Sequence, residues 1–350
     1  MRRSRMLVAC AITTLVAGCA VANGATPRQP AHQVTRQHGG TRPSATHTDG
    51  LVAVAGVTLH SDIAAAYTMR PDGSRLHMLP IPASLLASAV AVSPDGKQLA
   101  VEASAGPVYL IGTDGHGLRQ LTPRSLGVGE PVAWSPDGQW IAFRAFTLDE
   151  PQDLENEGAV FAIRPNGTGL HQVLTGFGVL SLAWGPGNKL AFTGTPYPAS
   201  HWPVKATGLW TVTVNATDAR AVPGTSRLLL TSQNQLDPFP ATVQAWSPDG
   251  RSLLVSSVPR TGDLSVLPAG GGKPRVLLRC PSQTCTTTHY LSGAAWSTDG
   301  RTIMFTVNAN DPTGNTSVRF YTVPAAGGRF TRLNVSFMRV VTGLSWQPAN

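Results

Sequence analysis

The chain has 350 residues, 42% of them hydrophobic and 13% charged, with a formal net charge of +8. A body of this length is long for one ordinary hydrophobic core, so a repeat architecture is a natural way to use it. The charge does not mark a nucleic-acid binder: Arg2, Arg3 and Arg5 account for part of it, and the rest forms no dense basic stripe and no basic–aromatic interleaving.

In chain order, the first element is an export signal. A basic start is followed by an almost unbroken apolar run from Met6 to Val16. That run is too short to be a comfortable transmembrane span. It ends in Val16-Ala17-Gly18-Cys19, which resembles the lipobox of bacterial lipoproteins. The resemblance implies cleavage before Cys19, a diacylglyceryl group on its thiol, palmitate among the attached lipids, and a membrane anchor on the extracytoplasmic face. The other reading is an ordinary signal peptide cut after Ala20-Val21-Ala22.

Residues 1–18 are therefore expected to be a signal peptide and 19–50 a disordered tether. The tether is rich in Pro, Thr, Arg, Gly and His and nearly devoid of large apolar residues. Its root-mean-square span is on the order of 30 Å, and His32, His38 and His47 are expected to be solvated there. Of the cysteines beyond Cys19, Cys280 and Cys285 form an even pair four residues apart. Outside the cytoplasm a small-loop disulfide is expected. Zinc would need two further ligands, and only His289 is near.

From residue 51 onward one hexapeptide recurs. It reads A-V-S-P-D-G at 91–96, A-W-S-P-D-G at 133–138 and 245–250, A-W-G-P-G-N at 183–188 and A-W-S-T-D-G at 295–300, and the chain ends on Ser345-Trp346-Gln347-Pro348. Five of the eight tryptophans, Trp134, Trp184, Trp246, Trp296 and Trp346, share one slot, which Val92 fills in the first copy. The period, roughly 40 to 60 residues, is that of propeller blades.

Each copy continues with a short apolar strand such as Trp140-Ile-Ala-Phe143, then a third strand such as Val160-Phe-Ala-Ile163, a second glycine turn and a fourth strand such as Leu170-His-Gln-Val173. Four short strands joined by turns make one antiparallel blade. Pro presets the turn, Asp bonds back to the backbone and Gly takes the positive φ. Asp95, Asp137, Asp249 and Asp299 thus have a structural role, and cation binding is not expected of them. The first blade lacks an innermost strand, and Thr342–Trp346 from the other terminus is predicted to supply it. The expectation for 51–350 is an all-β, six-bladed β-propeller of four-stranded antiparallel blades. The ring closes where the C-terminal strand joins the N-terminal blade.

The signature A-W-S-P-D-G-x-x-[IL]-[AL]-[FV], with its later D-G or N-G turn, resembles the TolB-like β-propeller repeat. It covers nearly all of 51–348. The resemblance implies the fold and leaves the function open, because such blades serve interaction proteins, peptidase gates and sensors alike. The chain departs from the family's namesake in its lipobox and in having no room for a separate N-terminal domain, so the namesake's partners do not transfer.

In such a blade the 1–2 and 3–4 turns share one face, and the 2–3 and 4–1 connections share the other. The short Pro/Gly turns are expected on the first face and every long loop on the second, where binding tends to reside. Three candidates stand there: the acidic loop with Asp149, Glu150, Asp153, Glu155 and Glu157, the aromatic loop with Tyr197, His201 and Trp202, and the loop holding the cysteine pair. A solvated acidic loop and packing over the channel mouth are the plainer readings of the first two. Asn308–Asn315 does not match a calcium loop.

No G-x-S-x-G, H-E-x-x-H or P-loop pattern occurs, and the inner strands offer mostly Ala, Val, Leu, Trp and Ser. The expectation is a monomeric, non-catalytic interaction or ligand-binding module without cofactor or resident metal. Its partner would be an envelope protein, glycan or peptide, with no role for nucleic acid. The alternative is an extracytoplasmic hydrolase or lactonase using a channel metal.

Overall fold

The structure is a computed structural model that describes residues 50–350 except 105, 148–157, 197–206, 232–240, 257–262, 280–288, 311–315, 336 and 348–350. Its described strands form six four-stranded antiparallel sheets. The inner strands are Met338–Trp346 in blade 1, Ala87–Val92 in blade 2, Leu126–Trp134 in blade 3, Phe177–Gly185 in blade 4, Thr242–Trp246 in blade 5 and His289–Trp296 in blade 6. Each meets the next in cyclic order, and the sixth meets the first, so the ring is closed.

Closure occurs as the sequence predicts. Met338–Trp346 pairs antiparallel with Val52–Thr58, with Trp346 opposite Val52 and Leu344 opposite Val54. Gln347 fastens the joint: its backbone N–H donates to Leu51 O at 2.8 Å, its side-chain oxygen accepts from the Leu51 N–H at 3.3 Å, and its amide nitrogen donates to Pro94 O at 3.2 Å. No edge of the inner ring is left open.

The second strands open with apolar runs because blades stack face to face, so both sides of each strand are buried. Phe143, Phe192 and Phe305 occupy the same position in blades 3, 4 and 6 and are all essentially inaccessible. The marker tryptophans wedge between blades. The indole N–H of Trp134 donates to Ala91 O at 3.0 Å, and that of Trp246 to Ala183 O at 3.1 Å, each in the preceding blade.

The hexapeptide turn repeats bond for bond. In blades 2, 3, 5 and 6 the Ser hydroxyl donates to the Asp carboxylate at 2.6–2.7 Å. The same hydroxyl accepts the N–H five residues on at 2.9 Å, and Asp accepts the N–H two residues on at 3.0 Å. That Ser contact, followed by backbone N–H donation, holds the Asp95 and Asp249 carboxyls below the usual range, and the Ser contact leads for Asp299 too. Blade 4 departs: Gly187 and Asn188 both take positive φ, 68° and 54°. Gly185 stands where the other turns have Ser because the ring of Trp246 fills the space, and a Cβ there would lie 2.2 Å from Trp246 Cγ.

Two expectations need adjustment. The outer strands are shorter than the pattern suggests, reduced to His77–Met78, Arg119–Gln120 and Thr331–Arg332 in three blades, because an edge strand has one neighbour and little to bury. The 3–4 connections are not all short, either. In blade 4 the chain takes residues 214–226 to pass from Gly208–Thr213 to Arg227–Thr231, with a small bridge of its own between Val214 and Ala221. One long connection thus lies on the turn face.

Candidate functional site: the axial channel and its ring of bulges

Six inner strands converge on the propeller axis and enclose a cavity of about 420 Å³. At the turn end it is lined by Ala91, Ala133, Ala183, Ala245, Ala295 and Ser345. This is why the hexapeptide opens with alanine: side chains from six strands meet at one level, and larger ones would overfill it. The marker tryptophans flank this level and line the cavity with them.

Toward the other end every inner strand breaks register with its neighbour. The extra residues are Thr342 in blade 1, Ser88 in blade 2, Glu130 and Pro131 in blade 3, Leu180 in blade 4, Gln244 in blade 5 and Ser292 in blade 6. In blades 1, 2, 4 and 6 the bulge stands four residues before the marker slot, and in blade 5 it stands two before. A bulge re-aims side chains and is common beside functional sites. Here Pro131, Leu180, Gln244, Ser292 and Thr342 all line the cavity. Pro131 suits its place because a bulge needs no ladder N–H.

The bulges are held by polar side chains on the second strands. At equivalent positions these are Glu102, Arg144, Thr193, Ser256 and Thr306, and blade 1 alone has an apolar residue there, Ala55. Gln244 donates to Ser256 Oγ at 3.0 Å, and Ser292 and Thr306 share a hydrogen bond of 2.9 Å. Ser181 Oγ accepts the Val243 N–H at 3.1 Å, and Thr193 donates to Ala241 O at 2.5 Å. Asn308, fully buried, grips Val341 beside the blade 1 bulge with both ends of its amide, at 2.9 and 3.2 Å. Glu102 is buried and Arg144 half-buried, and both are engaged in contacts of their own.

The cavity lining thus contains hydroxyls, one carboxamide, backbone groups and indoles, but no His, Cys or charged side chain among the described residues. Such a lining can hydrogen-bond and stack on a neutral polar ligand. It presents no nucleophile–base pair. No group of three potential metal ligands occurs among the described residues.

The residues singled out from sequence are distributed differently. Cys19, the Cys280–Cys285 pair, the acidic set Asp149, Glu150, Asp153 and Glu155, and Tyr197, His201 and Trp202 all lie outside the described residues. The strands flanking the two candidate loops end at Thr147 and Pro196 and resume at Ala159 and Gly208, on the same face as the bulges. The bulge ring itself is invisible to pattern reading. The repeat registers what blades share, and Thr342, Ser88, Leu180, Gln244 and Ser292 share nothing but position. A faint signal exists: the residues just before each A-W pair vary while the pair does not.

No protein-family model matches the chain, and no curated protein matches it. Among solved structures, the fold is similar to that of a protein assigned as TolB from Agrobacterium tumefaciens, with 14% identity, TM-score 0.58, and 84% of this chain and 92% of that one covered. It is also similar to a chain of a nidogen/laminin complex, with 12% identity, TM-score 0.59, and 86% of this chain and all of that one covered. A weaker likeness, TM-score 0.49 at 13% identity over 77% of this chain and 70% of that one, is to an oligogalacturonate lyase in complex with manganese. At such identities the shared property is architecture. The body of this chain is a TolB-like six-bladed β-propeller.

Proposed function

We propose that the protein is an extracytoplasmic lipoprotein, anchored through Cys19, whose propeller is a non-catalytic binding module. Its loop face and the channel mouth beneath it receive a glycan, a peptide or a segment of an envelope protein. The carrying observation is the ring of bulges: among the described residues, Leu180, Gln244, Ser292 and Thr342, side chains the repeat does not dictate, gather in an uncharged cavity that the marker tryptophans help to line. The acidic loop around Asp149 and the aromatic loop around Tyr197, His201 and Trp202 connect strands whose ends lie on that face.

Two measurements test this. Crosslinked membranes are probed with the tethered protein and with a version in which loops 147–158 and 195–205 are shortened. A partner held by the first and lost by the second is expected. Gln244→Ala should weaken that capture several-fold while shifting stability by no more than about 1 kcal/mol, the worth of one hydrogen bond. A stoichiometric bound metal, with a hydrolytic activity lost on neutralising the acidic loop, would replace this reading with an enzymatic one. Detergent partitioning that survives Cys19→Ser would remove the lipid anchor from it.

A further inference from the structure

Positive charge gathers on one face of the propeller. The turns and turn-side strand starts of one face comprise 93–97, 135–139, 185–189, 247–251 and 297–301, with 70–77, 112–119, 164–171, 214–227, 268–275 and 324–332. They hold fourteen Lys or Arg and seven Asp, whereas the rest of 51–350 holds seven Lys or Arg and eleven Asp or Glu. The turn face is thus near +7 and the remainder near −4.

The seven acids of the turn face are turn formers. Asp72, Asp95, Asp114, Asp137, Asp218, Asp249 and Asp299 each accept the backbone N–H two residues on, at 2.9–3.2 Å. The cations are free of that duty. Lys97, Arg251 and Arg301 occupy one equivalent slot, directly after the hexapeptide, in blades 2, 5 and 6; Lys189 follows the shorter turn of blade 4, where Asn188 holds that slot, and all four cations are exposed. Around them Arg119, Arg227 and Arg275 donate to carbonyls of the next blade, Pro165, Gly270 and Ala325. These bonds fix the guanidinium groups in place without neutralising them. Among the described residues no Lys or Arg of this face is ion-paired.

The chain also enters its body at this face. Leu51 is bonded to Gln347, which follows Trp346 at the turn end of the blade 1 inner strand, and Gly50 lies against Trp346 and Thr298. We infer that the turn face is a docking surface for an anionic phospholipid membrane, and that the opposite face is presented away from it. The outward orientation rests on the anchored reading given above; the electrostatic surface does not. Cations on turns that share one side of the ring can meet a single surface together, and each gains from a negative surface within a Debye length.

The test uses the chain from residue 19 with Cys19→Ser, so that no acyl chain contributes. Sedimentation with vesicles containing about a third phosphatidylglycerol should show binding that vanishes on pure phosphatidylcholine and falls steeply with salt. The triple variant Lys97→Gln, Arg251→Gln, Arg301→Gln should lose more than tenfold in vesicle affinity. Blade 3 already carries Gln139 in this slot, so the turns tolerate the change. The matched triple Arg124→Gln, Arg279→Gln, Arg319→Gln, three exposed cations of the loop face, should lose less than threefold. Equal losses in the two triples, or no preference for the anionic vesicles, would overturn the inference. Binding to soluble polyphosphate as tight as to vesicles would assign the surface to a polyanion instead. The mass of the native protein reads lipidation separately, so an unmodified Cys19 would remove the anchor while leaving the vesicle result intact.

Discussion

The two ends of the same six inner strands differ in kind. At the turn end the residues repeat and so do their contacts: an alanine at the axis, a tryptophan between blades, and a Ser–Asp turn with the same five bonds in blades 2, 3, 5 and 6. At the bulge end the register breaks in every blade, and the residues at the break are Thr, Ser, Glu-Pro, Leu, Gln and Ser. Uniformity marks the part that builds the ring; variety, under a common backbone device, marks the part free to acquire a ligand. If that division holds, damage at the turn end should be felt as lost stability, and damage at the bulge end mainly as lost binding.

The largest expected effect tests ring closure. Removing residues 338–350 takes away the inner strand of blade 1 and leaves Val52, Val54 and Met69 of the same blade open to water. Cooperative unfolding of the whole body should be lost in calorimetry. An unchanged melting transition would sink the six-blade closure.

Next comes the inter-blade wedge. Trp246→Ala empties a buried site and strands the Ala183 carbonyl, and should cost about 3–5 kcal/mol in denaturant unfolding. Gly185→Ala pushes a methyl into the same ring and should cost about 1–3 kcal/mol, a loss relieved when Trp246 is made smaller. Additive effects in the double variant would mean that the two residues do not share one contact.

The smallest effect sharpens the view of the turn. Ser247→Ala removes a buried hydroxyl that both donates to Asp249 and accepts the Ser252 N–H, and should cost about 1–2 kcal/mol at pH 7. The Asp249 carboxyl is held low in the folded state, so its contribution is present above the unfolded value of about 4 and is lost as pH falls through the folded one. The gap between wild type and variant should therefore narrow as pH falls below the unfolded value of about 4. A gap independent of pH would show that the hydroxyl supports the backbone and not the carboxylate.

Some of this was legible in the residues themselves. The hexapeptide is a local object: Ser, Pro, Asp and Gly close a turn with bonds that span five residues, so repetition in sequence implies repetition in structure. The tryptophan slot and the missing first strand follow from counting periods. The bulges follow from nothing local. Whether Gln244 faces its neighbour strand or the axis depends on where two strands lose register, and that is fixed by how six twisted sheets meet around a ring. Arg119 reaching Pro165, and Arg275 reaching Ala325, are likewise decided between blades. Net charge could be summed from the sequence, yet its division between two faces required knowing which turns share a side. Sequence alone determined the unit and the count of units, because turn chemistry and strand burial act over a few residues. Only the tertiary ring decided what converges on the axis and what each face presents, because those are distances between residues 40 to 300 positions apart, set by closure.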